Sequence, residues 1–339
     1  MLHGHGNDTD SCKDLIADFS SNVWHRGISK ELTQILEKNI ASITNYPEPD
    51  VKTLKNSIAG CFGIKGSNVV VTNGSTEAFY LIAHAFAKNK SVILYPSFAE
   101  YYDACKMYRH EIEQLPNSSG WLNIPFREQL VWLANPNNPD ATTFSLNQIE
   151  DLLKANSSSI FIIDEAYIEL CYNAESALPL LATYSNLIIV KSFTKAFSIP
   201  GLRLGYIVSS EDIINRIQQY LMPWSVNSLA AKAGIYITEH YSRLLPDKER
   251  IKEESVGLQS DLGKIAQLKV FPSACNFFLV QSLSKPASQL KEFLLEDSKI
   301  LIRDASNFKG LDHSFFRVSV QSPEMNKLLI REIQKWTTQ

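Results

Sequence analysis

The sequence predicts an α/β protein: a large three-layer αβα unit around a mostly parallel sheet, followed by a smaller α+β unit. Two observations carry this. Between residues 68 and 208, short apolar runs alternate with helix-like stretches, and most of the runs are continuously apolar and rich in β-branched residues. Strands read that way when both faces of a largely parallel sheet are covered by helices. Beyond about residue 225 the rhythm changes to helices interspersed with isolated strands, the habit of an α+β unit.

Taken in order, residues 1–30 are polar and turn-rich and read as an arm. The large unit is expected over 31–225, with strands at 69–71, 91–94, 130–133, 160–163, 187–190 and 204–208. Helices at 76–88, 98–107 and 146–155 fall between them. The small unit is expected over 226–339, with helices at 226–240 and 243–267, the second long and charged. A strand at 276–280, a helix at 287–295 and strands at 300–303 and 315–320 follow. A closing helix is announced by Ser322-Pro323, Ser at the N-cap and Pro at the first helical position.

Composition narrows the function classes. The 339 residues carry 33 basic and 36 acidic side chains, so the net charge is 33 − 36 = −3. That is not a surface built to neutralise nucleic acid or an anionic membrane; any phosphate is expected in a local pocket. Five scattered cysteines without a CxxC pair or a zinc spacing read as free thiols in a reducing compartment, with no metal site. The N-terminal residues lack a basic stretch followed by an apolar core, and no apolar run approaches the ~20 residues of a membrane span. A cytoplasmic protein is expected.

Chemistry-bearing clusters fall just after predicted strands, where open α/β sheets bind ligands. After 69–71 comes Thr72-Asn73-Gly74-Ser75-Thr76-Glu77, a Gly turn opening a helix whose free N–H groups and dipole suit an anion. Alone, it reads more readily as a capped helix. After 130–133 comes Asn135-Pro136-Asn137-Asn138-Pro139, a rigid turn. After 160–163 comes Asp164-Glu165-Ala166-Tyr167, where a buried acid needs a partner and an ion pair is the plain alternative. After 187–190 comes Lys191-Ser192-Phe193-Thr194-Lys195, then five residues and Gly201-Leu202-Arg203-Leu204-Gly205. In that small and aromatic setting, desolvation would make Lys195 a nucleophilic amine.

In this order, the clusters resemble the class I/II aminotransferases of pyridoxal-phosphate fold type I over nearly the whole chain. The resemblance implies that Lys195 holds the cofactor covalently and later moves protons. Asp164 keeps the pyridine nitrogen protonated, and Tyr167 and Asn138 bind the ring oxygen. Ser75, Thr76, Ser192 and Arg203 take the cofactor phosphate, and Phe98 stacks on the ring. Asn45-Tyr46-Pro47-Glu48-Pro49 resembles the segment whose Tyr reaches a neighbouring subunit's cofactor, so Tyr46 implies a homodimer. Arg317, in Phe315-Phe316-Arg317-Val318-Ser319-Val320, matches the residue that grips a substrate carboxylate. One departure stands out: Asp140-Ala141 replaces the family's Thr-Gly, and Gly commonly serves a left-handed position.

Two subfamilies share these motifs: threonine-phosphate decarboxylases and histidinol-phosphate aminotransferases. The decarboxylases are resembled more closely in His3-Gly4-His5-Gly6-Asn7, Asp18-Phe19-Ser20-Ser21-Asn22, Pro223–Asn227 and the segment around Arg303-Asp304-Ala305-Ser306-Asn307. Both act on phosphorylated substrates, so the implied substrate contacts are Arg317, Arg303, Asn22 and a histidine of the arm, His3 or His5. A non-catalytic sensor built on this fold would be expected to lose Lys195, Asp164 or Arg203, or to carry an added DNA-binding domain; all three residues are present.

Overall fold

The computed structural model describes residues 14–117 and 119–338. A short strand β1 (Ala17–Asp18) precedes a seven-stranded sheet built from β2 (Val69–Thr72), β3 (Lys90–Tyr95), β4 (Glu111–Pro116), β5 (Gln129–Ala134), β6 (Ile160–Asp164), β7 (Leu187–Ser192) and β8 (Gly205–Ser209). The spatial order is β2-β8-β7-β6-β5-β3-β4. Neighbours are parallel except that β8 runs antiparallel to both β7 and β2.

Each of the six expected strands is present. The apolar runs alternate between two cores. Val70, Trp132, Ile162 and Ile188 pack under the helices Gly74–Ala85 and Glu100–Met107, while Val131, Leu133, Phe161 and Ile189 pack under the helix Leu146–Ala155. Both faces are covered, which is why the runs hold no polar alternation. The seventh strand, β4, escaped the sequence reading because Glu111, Glu113 and Pro116 make it an edge strand with half its residues open to water.

The second sheet holds β9 (Leu268–Val270), β10 (Phe277–Ser282), β12 (Arg303–Asp304) and β13 (Phe315–Ser319) in the order β12-β13-β10-β9, all antiparallel. The expected strand at 300–303 is divided into β11 (Ile300–Leu301) and β12. The expected helix at 243–267 is interrupted: a short turn, Tyr241–Leu244, ends before Pro246, and Lys248–Gly263 restarts with Asp247 accepting the Glu249 N–H as its N-cap. Ser322 caps the closing helix Pro323–Thr338, accepting the Met325 N–H at 3.4 Å. The helix Ser228–Glu239 buries Ala230, Ala233 and Ile237 in one core with Leu54, Ile58 and Tyr206, so it packs with the large sheet. Among the described residues, no helix is long and apolar enough to cross a membrane.

The described part of the arm is woven into the small unit. β1 pairs in parallel with β11. Phe19 is fully buried among Phe278, Phe316 and Trp336, and its backbone bonds Leu301 and Ser319. Phe19→Ala should therefore lower unfolding stability by about 3–5 kcal/mol, the usual cost of emptying a buried aromatic site, read as a shifted urea midpoint. A change below about 1 kcal/mol would show that the segment merely lies on the core.

Candidate active site

The carboxyl ends of β3, β5, β6 and β7 open onto one cavity of about 890 Å³, whose far wall comes from the small unit. Lys195 lines it, three residues beyond β7, on a loop held to the arm by a Trp24 N–H bond to the Lys195 carbonyl (3.0 Å). Burial, helped by the Arg317 and Arg203 charges, pulls the Lys195 amine down to about 8, while Asp18 and Asp164 oppose the shift. Lys191 has the opposite fate. Burial works against its charge, but Glu169 (2.8 Å) and Glu165 (3.1 Å) outweigh it and raise its pKa. Of two lysines four residues apart, one is a locked cation and the other a poised nucleophile.

Asp164 ends β6 beside Lys195. Burial raises its carboxyl to about 6, against hydrogen bonds from the Tyr101 hydroxyl (2.5 Å) and the Ala166 N–H (2.9 Å). Tyr167 lies in the following turn, its ring 5.9 Å from the Lys195 Nζ. Asn138 accepts a hydrogen bond from Arg317 Nη1, which leaves the Asn138 amide N–H₂ to donate elsewhere. Arg317 sits mid-strand in β13, opposite Arg303. Its Nη2 donates to the Ser20 carbonyl at 2.6 Å, and its buried Nε has no hydrogen-bond partner among the described residues.

An anion cradle forms where β8 begins. Arg203 takes a left-handed conformation (φ 58°) and lays its guanidinium on Gly74, where a Cβ would stand 2.3 Å from Nη2. A Cβ on Gly205 would meet the Ser75 nitrogen at 2.7 Å. Glycine at both positions lets the strand end, the arginine and the helix N-terminus carrying Ser75 and Thr76 converge. Ser192 closes the group; its oxygen accepts the Thr194 N–H (3.2 Å), leaving its own hydrogen to donate.

Phe98 lines the cavity and meets Phe79 and Tyr101 edge-on. Asn22 is buried beside the Tyr167 phenol. Arg303 lines the small-unit wall, bonded to the Asp304 carbonyl (2.5 Å) and to Asn307 (2.7 Å). Tyr46 is not brought to the cavity of its own chain; it is 87% exposed and rests against Trp224. His3 and His5 lie outside the described residues. Sequence reading missed Tyr101, Asp18 and Lys309. Tyr101 alone left a signal, standing three residues after Phe98 within the helix expected over 98–107, although that helix starts only at Glu100.

Ala141 keeps the backbone that a glycine would have: its φ is 57°. Asp140 accepts from Asn137 Nδ2 (2.8 Å) and the Thr142 N–H (3.0 Å), so side-chain bonds hold the turn in place.

A buried lysine of lowered basicity lies beside a buried carboxylate, with an anion cradle at the strand ends of an α/β fold. The chain belongs to the aminotransferase class I and II family, whose model matches residues 16–333. Members of this family use pyridoxal phosphate. The crystal structure of L-threonine-O-3-phosphate decarboxylase from Porphyromonas gingivalis superposes with a TM-score of 0.90 at 36% identity, covering 96% of this chain and 100% of that one. Histidinol-phosphate aminotransferase of Thermoanaerobacter sp. is 33% identical over 90% of each chain. The adenosylcobalamin biosynthesis bifunctional protein CobDQ of Leptospira interrogans is 30% identical over 93% of this chain, which spans 38% of that longer protein.

Two outcomes follow. Replacing Ala141 with Gly should stabilise the protein by about 1 kcal/mol, because an L side chain at positive φ is strained; a loss of stability would place the strain elsewhere. In cofactor-free protein, folded Lys195 releases its proton near pH 8 and the unfolded chain near 10.5. Between those values the unfolded state holds the extra proton, so this group adds stability as pH rises, on the order of 3 kcal/mol in all. Cofactor-free Lys195→Met should therefore be more stable than wild type at pH 7, with the gap in urea midpoint closing as pH climbs from 8 to 10.5. A gap that stays constant with pH would mean the amine is not depressed.

Proposed function

We propose that this chain is a pyridoxal-phosphate enzyme that decarboxylates L-threonine phosphate, working in the cytoplasm as a homodimer. The observation that carries the reading is the charge of the cavity. Lys195, Arg203, Arg303, Lys309 and Arg317 line it, while Asp18 is the one carboxylate among its described lining residues. Arg203 is taken up by the cofactor phosphate. Arg317 and the Arg303–Lys309 side then face the substrate, which suits a small molecule bearing both a carboxylate and a phosphate.

The residues fit pyridoxal phosphate. The glycine-lined cradle of Arg203, Ser75, Thr76 and Ser192 offers several donors to a phosphate dianion. Lys195 is the amine for covalent attachment, Asp164 the acid for the ring nitrogen, Tyr167 and Asn138 the donors for the ring oxygen, and Phe98 an apolar wall. When bound, the cofactor supplies a sink for the electron pair released at the substrate α-carbon.

The chain's own residues supply the rest. Lys195, with an amine near 8, takes up and returns a proton at neutral pH. Arg317 orients the carboxylate while Asn138 and the Ser20 carbonyl hold the guanidinium still. Ser20, Asn22 and Trp24 bring the arm across the site and narrow water's access. Tyr46, exposed in the single chain, is available to the site of a second subunit, and His3 or His5 to the substrate phosphate.

Histidinol-phosphate transamination is the second reading, favoured by the 33% identity to such an enzyme. Histidinol phosphate has no carboxylate, so only its amino-acid co-substrate would engage Arg317. Holoenzyme mixed with L-threonine phosphate should release CO2 without converting the cofactor to its pyridoxamine form. Arg303→Ala and Arg317→Ala should each lower kcat/KM by about 100-fold or more, consistent with losing a charged hydrogen-bonding partner. Pyridoxamine accumulation without CO2 would establish the transaminase reading instead.

A further inference from the structure

We propose that Cys171 and Cys275 are a redox-modifiable pair that closes to a disulfide and staples the turn behind the active site to the small unit. Cys171 ends the turn that follows β6, and Cys275 lies two residues ahead of β10. They face each other in an isolated antiparallel bridge. The Asn276 N–H donates to the Leu170 carbonyl (3.2 Å) and the Tyr172 N–H to the Ala274 carbonyl (3.0 Å). These bonds flank the cysteines rather than join them, which makes this the narrow kind of antiparallel pair, with Cα atoms about 4.5 Å apart. Disulfides span Cα separations of roughly 4.4–6.8 Å.

The two thiols are close enough for each to shift the other's proton affinity, and the Cys171 Sγ also lies 3.3 Å from Asn173 Oδ1. Cys171 gains thiolate character from the Cys275 thiol, against burial, with help from the Asn173 and Ala174 N–H groups. Burial keeps Cys275 protonated as the donor. Both sulfurs are buried, but Tyr172, Asn173, Ser273 and Ala274 beside them line a second cavity of about 780 Å³ that shares no lining residue with the Lys195 cavity. A small neutral oxidant reaches the pair's neighbours there.

With hydrogen peroxide as oxidant, the chemistry balances. The Cys171 thiolate attacks one peroxide oxygen, the O–O bond breaks, and hydroxide leaves to take up a proton as water. Cys275 sulfur then attacks the oxidised Cys171 sulfur, forming S–S as the Cys275 proton and the bound hydroxyl depart as a second water. Two thiols lose two electrons and one peroxide gains them. The link closes a loop of about 100 residues. Tyr167 lies four residues before Cys171 and packs its ring at a tilt against Phe277, two residues after Cys275, with ring centres 4.9 Å apart. The staple thus ties the Tyr167 turn to the strand that pairs with Arg317, joining two walls of the catalytic cavity.

The test is peroxide titration of the full-length holoenzyme, with alkylation under denaturing conditions and peptide mapping. At the dose that first lowers the count below five free thiols, two should be lost together as a linked Cys171–Cys275 peptide, and dithiothreitol should restore them. The linked protein should melt at a higher temperature than the reduced form, and Cys275→Ala should show no such shift. First loss at Cys12, Cys61 or Cys105 with both proposed partners still alkylated overturns the pairing. So does the absence of any thiol loss up to the dose that unfolds the protein. A linked protein with an unchanged melting temperature overturns the staple. The wild-type peptide map decides the pairing even if the variant fails to fold.

Discussion

The site depends on one buried ion group, Lys191 with Glu165 and Glu169. Lys191 is on β7, and its partners lie in the turn after β6, so the group locks the ends of two adjacent central strands together. Three buried charges are costly to desolvate and hold only when their geometry is good and further hydrogen bonds support them. Most are met here: Glu165 also accepts from the Ser176 hydroxyl and the Ala177 N–H, and Glu169 Oε1 from the Tyr241 hydroxyl, while the buried Glu169 Oε2 has no hydrogen-bond partner among the described residues. The residues proposed for catalysis are interleaved with this group. Asp164 precedes Glu165, Tyr167 lies between the two acids, and Lys195 follows Lys191 by four. A densely bonded ionic anchor fixes their backbone, so the side chains around the cavity are left with shifted pKa values and unspent hydrogen-bonding capacity.

Strand β8 supplies the second constraint. Running antiparallel to its neighbours, it starts where β7 ends, which returns the chain to the ligand edge of the sheet within thirteen residues of Ser192. That reversal puts Arg203 against Gly74 and makes a cradle from two segments far apart in sequence. A parallel β8 would begin at the other edge and leave the helix N-terminus without its arginine.

Much of this was legible because burial on both faces writes itself into sequence as unbroken apolar runs, and because polar clusters after such runs can only lie at one edge of the sheet. Asp164 and Lys195 were singled out on that ground, and the family resemblance added Arg203, Tyr167, Asn138 and Arg317. Strand direction was not readable, since the run at 204–208 looks the same in either sense. β4 was hidden by its charged edge face. The Tyr101–Asp164 bond joins residues 63 positions apart, and no local pattern announces a hydroxyl aimed at a distant carboxylate. Asp18 looked like an arm residue, yet it is the acid whose charge opposes the depression of both Lys195 and Arg317. The arm itself read as a loose extension because two-residue β1 carries no periodicity to detect.

The electrostatics of the cavity tie these parts to selectivity. A chain with net charge −3 concentrates cationic side chains around one cavity. Burial and mutual repulsion hold Lys195 at about 8 and Arg317 at about 10, so each added anion relieves strain already present in the protein. The cofactor phosphate relieves part of it at Arg203. A substrate bearing a carboxylate as well as a phosphate relieves more than one bearing phosphate alone, and this difference acts before any bond is broken. Yet the same grip limits decarboxylation, because a carboxylate held too tightly cannot depart as neutral CO2. Arg317 meets this limit by already giving one N–H to Asn138 and one to the Ser20 carbonyl. Its position is fixed by the protein rather than by the substrate, and its charge is shared before the carboxylate arrives. A guanidinium so engaged can orient the leaving group without binding it so strongly that the ground state is favoured over the transition state.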